Sequence, residues 1–323
     1  MKNPMRNMLK SSKKQLNHPQ NHSRRCMNNA PHIPAMLVEV IHALQVKENQ
    51  TYVDATFGFG GHSKEIMKKG GKVIGFDHDR TVIEQNTVTF EKEISAGKLT
   101  LIHDSFEHLA DHLQEKVAGI LFDFGVNSQQ IDDASRGFSF QHEGPLDMRM
   151  DDRLSVKAQD LIAALGRKEL ANLFFHYAQE SFGRKIADAI VDARKLSPIT
   201  TTRQLTEIIH NALERDRVRG IDSATKVFMA LRIAVNDELR TIERTLPTSL
   251  DCLAEGGHIV TIAFHEGEDR IVKNVMKDWE IEKRGFNVFK KPLTPTNQEM
   301  YKNPRARSAK LRAFVKNQYK GRI

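Results

Sequence analysis

Met36, Leu37, Val40, Ile41 and Leu44 recur at the spacing of a helix that buries one face. Thr51-Tyr52-Val53-Asp54-Ala55 then reads as a short buried strand running straight into Gly58-Phe59-Gly60-Gly61-His62. Glu65, Ile66 and Met67 continue as a helix that Gly70-Gly71 ends. Lys72–Phe76 is a second strand ending at Asp77, and a helix begins near Thr81. Leu99–His103 makes a third strand before Asp104, and Val117–Phe122 a fourth before Asp123. Strands alternating with helices, with acids at the strand ends, predict a parallel, doubly wound sheet.

After Gln130 the alternation stops. Ala158–Leu165, Glu169–Tyr177, Phe182–Lys195 and Arg203–Leu213 read as successive helices; Pro198 follows the third, and Thr201 or Thr202 caps the fourth. Ser223 opens a long helix with Val227, Leu231, Val235, Leu239, Ile242 and Leu246 in one apolar stripe. Strand character returns at His258–Phe264 and Leu311–Val315. The expected fold is therefore α/β, a Rossmann-like sheet interrupted by a helical insertion of about 90 residues, a common size for a small domain. The sheet domain is expected over 32–140 and 230–323, the insertion over 141–229.

Composition narrows the class. The 323 residues are 39% hydrophobic and 28% charged, and no run approaches the roughly 18 apolar residues of a membrane span. Two cysteines, Cys26 and Cys252, are too few for a disulfide framework or a zinc cluster, so no metal is expected. Cys252, between Leu250 and Leu253, reads as core. The net charge of +8 is unevenly placed: residues 1–31 hold seven Lys/Arg and residues 302–323 eight, neither with an acid. Two basic arms thus flank a mildly acidic body, which suits a polyanion, although residues 1–31 serve equally as a solvated, disordered end. That arm lacks the apolar core of a secretory signal. A cytoplasmic protein is expected, or an organellar one if the arm is a presequence. Met27 just before the first helix leaves room for the arm to be an upstream extension of the reading frame.

A Gly-rich turn after the first strand lets a ligand approach the backbone, and the following helix N-terminus favours negative charge there. Asp77, closing the second strand, is placed to accept hydrogen bonds from ribose hydroxyls. Both features serve NAD as well as S-adenosylmethionine. A dinucleotide fingerprint wants G-x-G-x-x-G, whereas this loop reads Gly58-x-Gly60-x-x-Ser63, which counts moderately against NAD. Asp77, Asp104 and Asp123 at three successive strand ends converge on one crevice, which argues against a turn with no ligand.

Seven motifs then stand in one order: His32-Ile33-Pro34, Gly58-Phe59-Gly60-Gly61-His62-Ser63, Arg136-Gly137-Phe138-Ser139-Phe140, residues 144–151 (GPLDMRMD), residues 230–239 (ALRIAVNDEL), residues 268–273 (EDRIVK) and residues 303–312 (NPRARSAKLR). Over about residues 32–315 the chain closely resembles the RsmH (MraW) family, S-adenosylmethionine-dependent methyltransferases of cytosine N4 in small-subunit ribosomal RNA. The resemblance implies a methyltransferase sheet with an inserted helical domain, and as substrate a cytidine of the decoding region. By position, Gly60, Gly61 and His62 would line the methionine and ribose side of the cofactor and Asp77 would take the ribose hydroxyls. Phe106 would pack by adenine, and Asp123 and Gln130 would complete the pocket. The chain departs from the family at Asn127, in place of the first Ser of a Gly-Val-Ser-Ser turn. It departs again at Ala178-Gln179, for a Gly-Glu pair, and at Glu266-Gly267, for Ser-Leu.

The chemistry fits independently. The lone pair of cytosine N4 is delocalised into the ring, so a catalyst must hold the amine with acceptors while it attacks a methyl. Asp123 and the turn through Asn127 supply acceptors at the fourth strand end, and His265 after the fifth serves either the target base or the structure. Methylation at C5 would instead need a nucleophilic Cys, which neither cysteine is placed to be. Arg136, Arg149, Arg232, Arg270, Arg305, Arg307 and Lys310 come from separate motifs and would form one face toward the RNA of the small ribosomal subunit. Phe138 and Phe140 lean to core packing over base stacking. A monomer and a dimer stay open. Two other readings compete: an NAD-dependent oxidoreductase, from the shared loop and Asp77, and a ribosome-binding or assembly factor, from the altered Glu266-Gly267.

Overall fold

The computed structural model describes residues 33–214 and 220–317, so residues 1–31, with Cys26, and the last part of the C-terminal arm lie outside it. After α1 (Leu37–Leu44) the chain alternates: β1 (Thr51–Asp54), α2 (Gly61–Lys68), β2 (Lys72–Asp77), α3 (Arg80–Thr89), α4 (Glu91–Ser95), β3 (Leu99–His103), α5 (Leu109–His112) and β4 (Val117–Asp123). Among the described residues seven α-helices follow without a strand: α6 (Ser128–Asp132), α7 (Ala158–Ala164), α8 (Arg167–Ala178), α9 (Gly183–Leu196), α10 (Thr202–Leu213), α11 (Ser223–Val235) and α12 (Glu238–Ser249). The chain then returns to the sheet with β5 (Leu253–Ala263), α13 (Glu266–Ile281), β6 (Gly285–Asn287), α14 (Asn297–Lys302) and β7 (Lys310–Lys316).

The sheet runs β3-β2-β1-β4-β5-β7-β6. The first five strands are parallel, with Val53 beside both Ile74 and Ile120 and Leu121 beside Val260. β7 is antiparallel to β5 and to β6. Both faces are covered, which is why the strands read as nearly continuous apolar runs. Val53, Ile120, Phe122 and Ile259 face α12 and α13 in one core, while Tyr52, Leu121 and Val260 face α1 and α2 in the other. From β1 the order moves outward to β2 and β3, then doubles back to β4, so all five parallel strands end at one edge with the switch between β1 and β4. In open α/β sheets the ligand crevice lies at that point. The helices from α7 to α11 bury a third cluster of their own, which also takes in Phe138 and Phe140; Phe140 meets Phe228 at 5.2 Å between ring centres.

Two details differ from the pattern read in the sequence, and one open alternative is decided. The long helix from Ser223 is two helices, because Asp237 turns left-handed (φ 49°). Its stripe therefore divides: Val227, Leu231 and Val235 join the helical core, and Leu239, Ile242 and Leu246 the sheet core. Asn236 fixes the break, donating to the Met148 carbonyl at 2.8 Å and accepting from the Met150 N–H at 2.7 Å. The short edge strand β6 is new, and Thr201, rather than Thr202, caps α10. Cys252 is buried in the sheet core, as expected. Among the described residues no helix is long and apolar enough to cross a membrane, and no group of side chains is arranged to hold a metal ion.

Candidate active site

The turn after β1 is held open from several sides. Gly58 and Gly60 adopt φ values of 52° and 68°, and a Cβ on Gly60 would stand 2.6 Å from the Phe57 ring. The Gly58 N–H donates to Asp77 Oδ2 at 3.0 Å, and Asn86 Nδ2 donates to the Gly58 carbonyl at 2.8 Å. Asp77 Oδ1 accepts from the Asp79 N–H at 2.9 Å. Each oxygen of Asp77 thus takes one backbone donor and keeps lone-pair capacity for another. Burial pushes the Asp77 carboxyl up. α2 starts with no side-chain cap, so its first N–H groups stay available. Pro34 packs on Gly61, and His62 is buried with Nε2 3.0 Å from the Ala35 carbonyl.

Asp54, which the sequence shows only as a strand residue, belongs to this site. It is buried at the end of β1, accepts from Ser63 Oγ at 2.7 Å, and has its carboxyl pushed up by burial to about 6. Across the switch point stands Asp123. Its side chain is 21% exposed, with Oδ2 3.7 Å from His62 Nδ1, yet Oδ1 is sealed without a hydrogen-bond partner. Burial, then the charges of Asp54 and Glu268, push the Asp123 carboxyl well above the carboxylate range. Glu268 is fully buried, accepting from the backbone N–H groups of Phe264 (2.7 Å) and His265 (3.2 Å). Burial pushes Glu268 up, but His265 and Arg232 outweigh it and hold it low.

His265 does not present a free ring nitrogen to the mouth. Nδ1 accepts from the Gly267 N–H at 3.1 Å, and Nε2 lies 3.1 Å from Glu268 Oε1, so the ring caps α13. Gly267 makes that possible: a Cβ there would come within 3.0 Å of the ring. Asn127 and Gln130 form a reciprocal cap of α6, Gln130 N to Asn127 Oδ1 at 2.9 Å and Asn127 N to Gln130 Oε1 at 3.2 Å. Asn suits that position as well as the Ser it replaces. Gln130 also donates to Asp79 Oδ2 at 2.9 Å and is buried, so it braces the turn against α3. Phe106 packs edge-on to Phe122 at 5.6 Å, beyond the end of β3. Beside it Asp104, pushed up by burial but pulled down further by His112 and His108, sits at about 2.

The seven basic residues differ in how free they are. Arg232 is largely buried, its Nε and NH2 2.8 and 2.9 Å from the Glu238 carboxylate, tying α11 to α12. Arg136 is engaged by Asp79 (2.9 Å) and by the carbonyls of Arg149 and Met150, and Arg149 by Asp147 and the Leu154 carbonyl. Both fasten the 147–153 loop rather than standing free. Arg305 and Lys310 are more open, paired with Asp132 (2.6 Å) and Asp269 (3.6 Å). Arg270 and Arg307 are exposed, with no ion pair to any described residue.

The model of the MraW methylase family matches residues 29–317. A protein of Ehrlichia chaffeensis named ribosomal RNA small subunit methyltransferase H is 40% identical over 299 residues, covering 88% of this chain and 99% of its own. One of the same name from Lactiplantibacillus plantarum is 38% identical over 306 residues, covering 88% and 96%. Among solved structures, an rRNA methylase from Streptococcus thermophilus aligns over 89% of this chain and 100% of that one, at TM-score 0.42 and 12% identity.

Proposed function

The chain belongs to the MraW methylase family, and from that membership we propose that it transfers a methyl group from S-adenosylmethionine to N4 of a cytidine in the decoding region of small-subunit ribosomal RNA. A methyltransferase of small-subunit ribosomal RNA is what the family and the names of its relatives support; the atom, the base and the cofactor are the finer reading. One observation supports it: the part-exposed carboxylate of Asp123 stands at the switch point beside the glycine-rich turn that Asp77 holds. We read residues 141–229 as an inserted domain of that enzyme, working on cytoplasmic ribosomal subunits.

The residues present fit S-adenosylmethionine. Asp77, aimed by two backbone donors, would take the ribose hydroxyls, and the uncapped start of α2 at Gly60, Gly61 and His62 would receive the methionine carboxylate. Phe106 would lie along adenine, while Gln130 keeps the wall in place through Asp79. Asp54 and Asp123 supply negative potential where a positively charged sulfur suits them best. When bound, the cofactor supplies a methyl group made electrophilic by that sulfur.

The remaining work is orientation and one proton. Asp123 accepts an N–H of the target amine, aligning the N4 lone pair, and takes the proton that N4 loses. A buried carboxyl raised well above its usual range is a better proton acceptor once ionised than an exposed one. His265 and Asn127 act one step back, holding the loops after β5 and β4 that frame Asp123. Calorimetry with S-adenosylmethionine and with NAD, then labelled-methyl transfer to purified small subunits, tests the reading. Binding of the first ligand with label in the RNA is expected, and binding of NAD alone would overturn it.

A further inference from the structure

The segment before β7 runs from the close of α6 to the end of β5, the two elements that follow and flank Asp123. At its near end Arg305 is held by Asp132, at the close of the α6 turn that follows Asp123. At its far end Lys310 sits opposite Ala263 in the sheet and beside Asp269, just past His265. Arg307, between them, has no ion pair to any described residue. α14 leads into this segment and is held by two hydrogen bonds to the residues before α1. Glu299 accepts from the Met36 N–H at 2.5 Å, and Asn303 donates to the Ile33 carbonyl at 2.9 Å, next to the Pro34 that packs on Gly61. Residues 299 and 303 share a helix face, so Tyr301 projects from the opposite one. It is 89% exposed, with exposed Lys302 beside it.

A lone exposed tyrosine is ordinary on a protein surface. An exposed aromatic ring followed in the chain by exposed Lys302, Arg305 and Arg307, on a segment whose ends lie by α6 and β5, is what single-stranded RNA binds: bases stack on the ring while the cations meet phosphates. Resting on the proposed ribosomal RNA substrate, we propose that Tyr301 is a stacking platform for a base flanking the target cytidine, and that Arg307 meets the adjoining phosphate. The target base itself goes to Asp123; Tyr301 holds the strand that delivers it.

The full chain carrying Tyr301→Ala or Tyr301→Phe is compared with wild type for binding to a naked single-stranded oligonucleotide of the target region and to S-adenosylhomocysteine. Tyr301→Ala should weaken RNA binding roughly 5- to 100-fold, Tyr301→Phe should restore most of it, and cofactor affinity should not change. Equal RNA affinity in all three proteins overturns the platform. So does a defect seen with assembled subunits but not naked RNA, which would assign Tyr301 to a ribosomal protein. Wild-type methyl transfer, run alongside, separates this failure from failure of the activity: label transferred by Tyr301→Ala at wild-type KM leaves the enzyme standing and removes only the platform.

Discussion

Asp54→Asn should stabilise the ligand-free protein at neutral pH. Asp54 is buried, and its carboxyl rises from 3.8 to about 6, mainly through burial. A raised acid favours the folded state while protonated, so stability is fullest below 3.8 and is lost as pH climbs through about 6. The full loss is about 3 kcal/mol, at roughly 1.4 kcal/mol for each pH unit between those two values. Asn does not ionise, and its side-chain oxygen still accepts from Ser63 or Thr56, so about 1 kcal/mol is forfeited for imperfect hydrogen bonding. The variant should therefore match or trail wild type at about pH 4.5 and gain on it by about 2 kcal/mol toward pH 8. Urea unfolding at several pH values measures this directly. A difference between the two proteins that stays constant with pH would refute the assignment of a strained, ionised Asp54.

Four other outcomes follow from the same geometry. Asp77→Ala should weaken S-adenosylhomocysteine binding by about 1–3 kcal/mol, read by calorimetry, and an unchanged dissociation constant removes Asp77 from the site. Wild-type kcat/KM should climb with pH through a range above that of ordinary carboxylates, because only ionised Asp123 accepts the proton; Asp123→Asn should flatten that rise and cut turnover more than RNA binding. Arg232→Ala strands Glu238 in the interior and should cost about 3–5 kcal/mol in stability, with RNA affinity per folded molecule unchanged. Arg307→Ala should lower the slope of log affinity against log salt by about 0.7–0.9, whereas Lys310→Ala, already paired with Asp269, should change it less.

The sheet was legible because its parallel strands are largely apolar on both faces and the first four stop at or just before an Asp. The break after Val235 was not, since the apolar stripe keeps its period across Asn236-Asp237. What breaks the helix is a hydrogen bond to Met148, 88 residues away. β6, with Gly285 and Asn287 at its ends, has little strand character of its own and exists by pairing with β7. Within the site, Asp77 and Asp123 announce themselves at strand ends, but Asp54 looks like one more strand residue until Ser63 folds over it. Sequence shows the charge of Arg232 but not its burial; its partner lies only six residues on, across a turn the helical pattern hides.

On the proposed function, Asp123 delivers the exocyclic amine of cytosine to a methyl donor. Small subunits methylated by the purified protein should be digested to nucleosides and analysed by mass spectrometry beside those methylated by Asp123→Asn. The account predicts N4-methylcytidine from wild type, with a large reduction for the variant. Methyl on cytosine C5 or on a ribose, or tight subunit binding with no methyl at all, would contradict it.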